Sequence, residues 1–112
     1  FGLGGIFVEV LGDVSFRVAP VSRTDATEMM QETRAFRLLQ GVRGQPAADT
    51  DAIASCLLRV SRLVTDFPEI EELDINPLTV RSAEEGAMAL DARVILRATE
   101  EAPARGSSPA CG

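Results

Sequence analysis

Two short stretches decide the fold of this sequence: LDINPL at residues 73–78 and ALDAR at residues 89–93. The residues between them include a polar segment, SAEEG at residues 82–86, which ends in glycine and is typical of a hairpin loop. We therefore predict two antiparallel strands that run over residues 72–80 and 87–96.

The predicted hairpin brings three oxygen-bearing side chains together. Side chains of a strand alternate between its faces, so Asp74 and Asn76 share one face while the apolar residues between them share the other. A hairpin centred on the loop pairs residues whose numbers add up to about 167, which puts Asn76 opposite Asp91 and Asp74 one step away. Hard oxygen ligands of this kind suit Mg²⁺, so the pattern predicts a metal site.

The same pattern is also typical of a solvated strand face. Polar alternation on one face of an antiparallel sheet is common, and the same register pairs Asp74 with Arg93 across the hairpin. Pro77 favours the functional interpretation slightly, because proline interrupts a ladder and such interruptions occur near sites. The residues alone leave both interpretations open.

Composition excludes several classes of function. The chain has 112 residues, 46% of them hydrophobic, which is enough for one domain with a modest core. Its net charge is -6 with no basic stripe, which argues against nucleic acid as a partner. Because the sequence contains no His, this chain provides neither Ser-His nor Cys-His catalysis, nor a phosphohistidine.

The sequence also indicates a compartment. No apolar run is long enough to span a membrane and no signal peptide is present, so we expect no membrane partner. Cys56 falls on the apolar face of a predicted helix and Cys111 lies near the end of the chain, which fits a reducing cytoplasm better than a disulfide scaffold. The chain opens on Phe1 rather than Met, so we expect a piece of a longer protein.

The first half of the chain predicts another hairpin followed by two helices. Residues 6–10 (IFVEV) are predicted to be a short apolar strand, and residues 14–19 (VSFRVA) alternate like a second strand. In the second strand Val14, Phe16 and Val18 share one face, and Ser15 and Arg17 share the other, outward face. Ser22 and Asp25 have the spacing of a capping box, which starts a helix over residues 23–34. The inward positions of that helix are predicted to be Ala26, Met29, Met30 and Thr33.

The second helix starts at a cap, Asp49 or Thr50, and runs to Asp66, shortly before Pro68. An apolar stripe follows this helix, made of Ile53, Cys56, Leu57, Val60, Leu63, Val64 and Phe67. The predicted order is ββααββ. It corresponds to an α+β fold with an antiparallel sheet of about four strands and two helices on one face.

Arg17 is a further candidate, as a phosphate ligand. It alternates outward on the second predicted strand, and a guanidinium binds phosphate through two parallel hydrogen bonds. The simpler interpretation is a solvated or ion-paired arginine, with Glu9 as its partner across the first hairpin.

Five motifs taken together resemble a known family: FGLGGIFVEV at 1–10, FRVAP at 16–20, GVRG at 41–44, ELDINPL at 72–78 and LDAR at 90–93. The series is similar to the C-terminal lobe of the ATP-grasp domain of ADP-forming acyl-CoA synthetases. It also resembles the corresponding part of the succinyl-CoA synthetase β subunit and the synthetase-like region of bacterial protein lysine acetyltransferases. The resemblance covers residues 1–97, and residues 98–112 are predicted to be a disordered tail.

The resemblance implies a role for each candidate residue. In this family the Asn of the INP motif and the Asp of the next strand bind Mg²⁺, which holds the phosphates of ATP or ADP; here they are Asn76 and Asp91, with Asp74 as a third ligand. The family joins a carboxylic acid to CoA through an acyl phosphate and a phosphorylated histidine. Since this chain has no His, the phosphohistidine and the CoA site are expected in other parts of the protein.

Three functions remain open at this stage. The first is the Mg²⁺-nucleotide lobe of an ADP-forming acyl-CoA synthetase, inactive on its own. The second is a non-catalytic regulatory region of a protein lysine acetyltransferase. The third is an α+β assembly module whose acidic side chains are only solvated.

Overall fold

The computed structural model describes residues 1–98 of the chain. In this part, the elements in chain order are α1 (Ile6–Glu9), α2 (Arg23–Glu32), α3 (Phe36–Leu39), α4 (Thr50–Asp66), β1 (Ile70–Ile75), β2 (Leu78–Val80), β3 (Ala87–Ala89) and β4 (Ala92–Leu96). The mixture of helices and antiparallel strands confirms the predicted α+β class. The tail predicted for residues 98–112 lies, from residue 99 on, outside the described residues and stays a prediction.

Helix α2 begins at the predicted capping box. The hydroxyl of Ser22 accepts a hydrogen bond from the Asp25 amide at 3.0 Å, and the Asp25 carboxylate accepts one from the Ser22 amide at 2.9 Å. These bonds satisfy two of the amides that the start of a helix leaves without partners.

A buried carboxylate holds the turn between α2 and α3. Asp13 accepts hydrogen bonds from the amides of Arg34 at 2.7 Å and Ala35 at 2.9 Å, and its residue is only 8% exposed. Because water does not reach these groups freely, the carboxylate replaces the hydration of two amides. The segment before α2 is thereby fixed to the start of α3.

The core lies between α2 and α4. Ala26 and Met30 from α2 meet Ile53 and Ala54 from α4, and Val80 of β2 packs against this cluster. All four residues of the first predicted helix that were expected to face inward are buried. The apolar stripe of α4 is narrower than predicted, because Leu63 is 39% exposed and Phe67 is 51% exposed.

The second predicted hairpin is confirmed. Strands β1 and β4 pair antiparallel, with Leu73 opposite Val94 and Ile75 opposite Ala92. Strands β2 and β3 continue the same hairpin with Leu78 opposite Ala89. The ladder is interrupted at Pro77, as the lack of an amide hydrogen on proline requires.

The first predicted hairpin is wrong. Residues 6–9 form α1, a single helical turn, and the following segment pairs through one isolated bridge, between Gly2 and Val14. Gly4 and Gly5 adopt positive φ angles of 82° and 57° and turn the chain just before α1. An apolar segment forms a strand only where a neighbouring strand accepts its hydrogen bonds, and within residues 1–98 no strand lies beside residues 6–9.

The two faces of this segment are also the reverse of the prediction. Ser15, expected to face solvent, is 4% exposed, and its hydroxyl donates to the carbonyl of Met29 at 2.7 Å. Its backbone exchanges hydrogen bonds with Phe1, each at 2.9 Å. Phe16 and Val18, expected to face inward, are 78% and 90% exposed.

The predicted four-stranded sheet with helices on one face is also wrong. Within residues 1–98 the strands form two two-stranded ladders of one hairpin, and the helices approach this hairpin mainly where α4 meets β2. The ladder of β1 and β4 follows α4 through residues 67–69 but packs little against the helices, so apolar residues on it stay in contact with water. Exposed apolar side chains of the hairpin are Met88, Leu90, Val94 and Leu96.

None of the helices in the described part of the chain has the length and apolar character that crossing a lipid bilayer requires.

Candidate metal site

The hairpin register places Asn76 opposite Asp91. The amide of Asn76 donates to the carbonyl of Asp91 at 3.0 Å, and the amide of Leu90 donates to the carbonyl of Pro77 at 3.0 Å. These two bonds bridge the interruption between the two ladders. The predicted opposition of Asn76 and Asp91 is therefore present in the backbone.

The third predicted ligand lies one pair further along. Asp74 is the partner of Arg93 in the ladder of β1 and β4, and strand alternation places Asp74 on the same face as Asn76. Asp74, Asn76 and Asp91 are all exposed to solvent. Strand geometry thus brings the three predicted residues to one open face of the hairpin.

The ion pair on this face is not the one that the solvated-face interpretation predicted, which was Asp74 with Arg93. Arg93 is the cross-strand partner of Asp74, but its guanidinium forms an ion pair with Glu72, where Nη2 lies 3.9 Å from Oε1. Both side chains of this pair are more than half exposed, so it contributes little to stability. The carboxylate of Asp74 is left available to another cation.

The oxygen atoms of Asp74, Asn76 and Asp91 are suitable ligands for magnesium, which proteins seldom enclose completely. Within residues 1–98 no three side chains of the His, Cys, Asp and Glu types group closely enough to enclose an ion. Two carboxylates and one amide on an open strand face supply a few oxygen ligands and leave other positions free. Proteins usually bind Mg²⁺ through one or two carboxylates together with water and the phosphates of a substrate.

Arg17, the predicted phosphate ligand, is occupied by other contacts. Its guanidinium donates to Glu32 through both terminal nitrogens, donates to the carbonyl of Phe16 at 2.7 Å, and lies 3.5 Å from Glu28. The partner expected for it, Glu9, belongs to α1 and makes no ion pair with Arg17 in the described structure. Arg17 is therefore ion-paired, as the simpler interpretation predicted, but its partners are Glu32 and Glu28 and not Glu9.

The ion pair changes the pKa of both groups. Hydrogen bonding to Arg17 holds the pKa of Glu32 below its ordinary value of 4.5. Hydrogen bonding to Glu32, with a smaller contribution from Glu28, raises the pKa of Arg17 further above its already high value. Arg17 thus stays charged and paired with Glu32 across the physiological pH range.

Asp49 is a site-related residue whose second role the sequence did not predict. It was expected only as a possible helix cap, and its carboxylate does accept from the Ala52 amide at 3.0 Å. The same carboxylate accepts from the amide of Gly86, in the hairpin loop, at 2.8 Å. No local pattern indicates this second bond, because the two residues are 37 positions apart.

The comparisons of this chain with known proteins agree with one another on its family. A family model for the ATP-grasp domain matches residues 1–96. The ADP-forming acetate–CoA ligase I of Archaeoglobus fulgidus is 53% identical over 96 residues, which cover 86% of this chain and 14% of the ligase. The β subunit of ADP-forming acetate–CoA ligase I of Pyrococcus furiosus is 50% identical over 96 residues, covering 86% of this chain and 40% of the subunit.

A solved structure has the same fold. It is the dinucleotide-forming acetyl-coenzyme A synthetase 1 of Candidatus Korarchaeum cryptofilum in complex with coenzyme A and Mg-AMPPCP. It is 47% identical, superimposes with a TM-score of 0.81, and the match covers 87% of this chain and 45% of the solved chain.

The chain thus spans less than half the length of each of these relatives. The family match, by contrast, extends over all of the described elements. The chain therefore belongs to the ATP-grasp family, and within it resembles the ADP-forming acyl-CoA synthetases.

Proposed function

We propose that this chain is the Mg²⁺-nucleotide lobe of an ADP-forming acyl-CoA synthetase, and that Asn76, Asp91 and Asp74 are its metal ligands. The observation that carries the proposal is the opposition of Asn76 and Asp91 at the break in the hairpin, where the Asn76 amide donates to the Asp91 carbonyl at 3.0 Å. The similarity to ADP-forming ligases supports the nucleotide as ATP or ADP, and a related structure contains Mg-AMPPCP.

The residues of this chain hold the nucleotide's metal and keep it in one place. The strands fix the backbones of Asn76 and Asp91, so the ligands do not have to be ordered when the nucleotide binds. When bound, the metal neutralises charge on phosphate oxygens, which favours phosphoryl transfer. Because the ligand face is open, other positions around the ion remain accessible to water and phosphate.

The remaining parts of the reaction belong to other segments or subunits in this proposal. The sequence has no His to carry the phosphoryl group, so the phosphohistidine is expected elsewhere in the protein, as is the CoA site. The exposed apolar side chains on the hairpin are the surface against which another part of the synthetase packs. We place the enzyme in the cytoplasm, with no nucleic acid or membrane partner.

The alternative proposal is the non-catalytic regulatory region of a protein lysine acetyltransferase. The same hairpin would then bind a nucleotide without turnover. An acetyltransferase domain elsewhere in the protein favours this alternative, whereas a phosphorylatable histidine and the formation of ADP from ATP in the presence of CoA and a carboxylic acid favour the synthetase.

The test of the site is a nucleotide titration on the native protein with any partner subunit. Mg-ADP binding is measured by calorimetry for the wild type, for the double variant Asn76→Ala with Asp91→Ala, and for Glu71→Ala as a control. Glu71 is an exposed acid on β1 that is not among the proposed ligands. We expect the double variant to bind at least about tenfold more weakly and the control to bind like the wild type.

Two results of this titration would contradict the assignment. If the double variant binds Mg-ADP as tightly as the wild type, Asn76 and Asp91 are not metal ligands and the site assignment is wrong. If EDTA fails to weaken nucleotide binding by the wild type, the protein is better described as an assembly module with a solvated acidic face.

Arg17 enters the proposal as a phosphate ligand in competition with Glu32. The variant Glu32→Gln removes the charge of the main partner of Arg17 and leaves the weaker contact with Glu28 and the bond to the Phe16 carbonyl, so Arg17 becomes more accessible to an anion. We expect this variant to bind nucleotide more tightly than the wild type, whereas Arg17→Gln should bind it more weakly. Equal affinities for all three proteins would assign Arg17 a purely structural role.

A further inference from the structure

The hairpin that carries the proposed metal ligands is joined to α4 at two places. Its first strand, β1, follows the end of α4 through residues 67–69, and its loop contacts the start of α4. Apart from the connection at residues 67–69, the helices approach the hairpin mainly where α4 meets β2. The orientation of the loop half of the hairpin, with β2 and β3, is therefore set by the contacts at residues 81–86.

Asp49 makes the central contacts there. Its amide donates to the carbonyl of Arg81 at 2.8 Å, and its carboxylate accepts from the amide of Gly86 at 2.8 Å. Arg81 and Gly86 are themselves joined, because the Arg81 amide donates to the Gly86 carbonyl at 3.0 Å. One buried residue, 9% exposed, thus holds both sides of the hairpin at the point where the loop begins.

The other oxygen of the same carboxylate belongs to the helix. Asp49 caps α4 by accepting from the amide of Ala52 at 3.0 Å. A single rigid carboxylate therefore joins the start of α4 to the base of the hairpin loop. Neighbouring backbone contacts support the joint, with Ala48 bridged to Ser82 and the Ala83 amide donating to the Ala47 carbonyl at 3.0 Å.

A continuous series of cross-strand bonds runs from this joint to the proposed ligands. It passes from the Arg81–Gly86 pair through β2 and β3 to Asn76 and Asp91. Five residues along each strand correspond to roughly 17 Å. A rotation of about 10° at the joint would move the ligands by about 3 Å, which exceeds the tolerance of a metal that must meet phosphate oxygens.

We propose that Asp49 is a positioning residue of the metal site: it fixes the hairpin on α4, so that Asn76 and Asp91 meet the nucleotide in one orientation. This inference rests on the proposed function, because it concerns the same ligands. It adds a residue that contacts neither metal nor nucleotide and acts through the hairpin.

The test separates the cap from the joint. In Asp49→Asn the side-chain oxygen still caps α4, since Asn caps as well as Asp, but the amide group cannot accept from Gly86. Asp49→Ser is a second variant, which caps the helix but is too short to reach the loop. Ser22→Ala is the control, because it removes a cap from α2 and leaves all hairpin contacts in place.

The measurement is the ratio of ADP affinities with and without Mg²⁺, obtained by calorimetry on the native protein with any partner subunit. Hydrogen exchange of the loop peptide that contains Gly86 reports the joint itself. We expect both Asp49 variants to lose protection in this peptide and to lower the Mg²⁺-dependent gain in ADP affinity about tenfold. Metal-free ADP affinity should stay unchanged, and Ser22→Ala should keep the wild-type ratio.

The positioning role is overturned if the Asp49 variants keep the wild-type ratio, or if Ser22→Ala lowers the ratio equally, because general destabilisation would then explain the loss. Unchanged protection of the loop in the Asp49 variants would overturn it as well. The variant Asn76→Ala with Asp91→Ala distinguishes the two proposals. If it keeps the wild-type ratio, the metal site itself is wrong; if only the Asp49 variants do so, the site stands and the positioning role fails.

Discussion

Asp74 lies opposite Arg93 in the hairpin, yet the guanidinium of Arg93 pairs with Glu72, at 3.9 Å, and not with Asp74. Arg93 therefore leaves the proposed ligand opposite it, Asp74, without an ion pair among the described residues. This arrangement keeps negative charge on the face where a divalent cation is proposed to bind, and it makes the charge of Arg93 a measurable influence on the site.

Replacing Arg93 should strengthen metal binding. In Arg93→Gln a positive charge is removed near Asp74 and Asp91, so we expect Mg²⁺ to bind a few-fold more tightly at low ionic strength. The gain should shrink as salt is added, because exposed charges are screened. Calorimetric titration of Mg²⁺ at two salt concentrations measures it, with Arg59→Gln on the exposed side of α4 as the control. Equal gains in both variants would mean that only net charge matters.

Removing the buried Asp13 carboxylate should destabilise the fold. Asp13→Ala leaves the amides of Arg34 and Ala35 without their partner in a place that water reaches poorly. We expect the free energy of unfolding in urea to fall by about 2 kcal/mol. Asp51→Ala, at an exposed position on α4, should change it by less than about 0.5 kcal/mol. Similar losses for the two variants would show that the Asp13 bonds contribute nothing specific.

The core between α2 and α4 can be tested with two residues of one helix. Ile53 is 2% exposed, so Ile53→Ala should lower the free energy of unfolding by about 3 kcal/mol. Leu63 is 39% exposed, so Leu63→Ala should lower it by less than about 1 kcal/mol. Chemical denaturation of the two variants in parallel measures the difference, and a larger loss at Leu63 would place the core further along α4.

Stability should fall with acid partly because of Glu32. The bond to Arg17 lowers the pKa of Glu32 in the folded state, so its stabilising contribution is complete above the unfolded pKa, near 4.5, and disappears as the pH falls through the lower folded pKa. We expect Glu32→Gln to unfold more easily than the wild type at pH 6, with the difference shrinking below pH 4. Thermal unfolding across this range measures it, and a constant difference would contradict the linkage.

The sequence predicted best those features that depend on residues near one another. The capping box of Ser22 and Asp25 spans four positions, and the register of Asn76 against Asp91 follows from a short loop between two alternating strands. The α2 residues Met29 and Met30 were correctly placed inside because helical periodicity is a local property.

The features that were predicted wrongly, or not at all, depend on distant partners. Residues 6–10 were predicted to be a short apolar strand, but residues 6–9 form α1, because no strand of the described structure lies beside them. The hydrogen bond from Gly86 to Asp49 has no local signal, and the partners of Arg17 lie on α2 and not on α1. The proposed metal site of Asp74, Asn76 and Asp91 includes the phosphates of a nucleotide. The sequence pattern of this chain indicates only the protein ligands.

The small core also has a thermodynamic consequence. In the described part of the chain only six apolar residues are buried, while Phe16 and Val18 already meet water in the folded state. Unfolding therefore transfers little additional apolar surface into solvent. Both the denaturant dependence of the unfolding free energy and its heat-capacity change scale with that surface. The isolated lobe should accordingly unfold over a broad range of urea concentration, and its stability should vary only weakly with temperature.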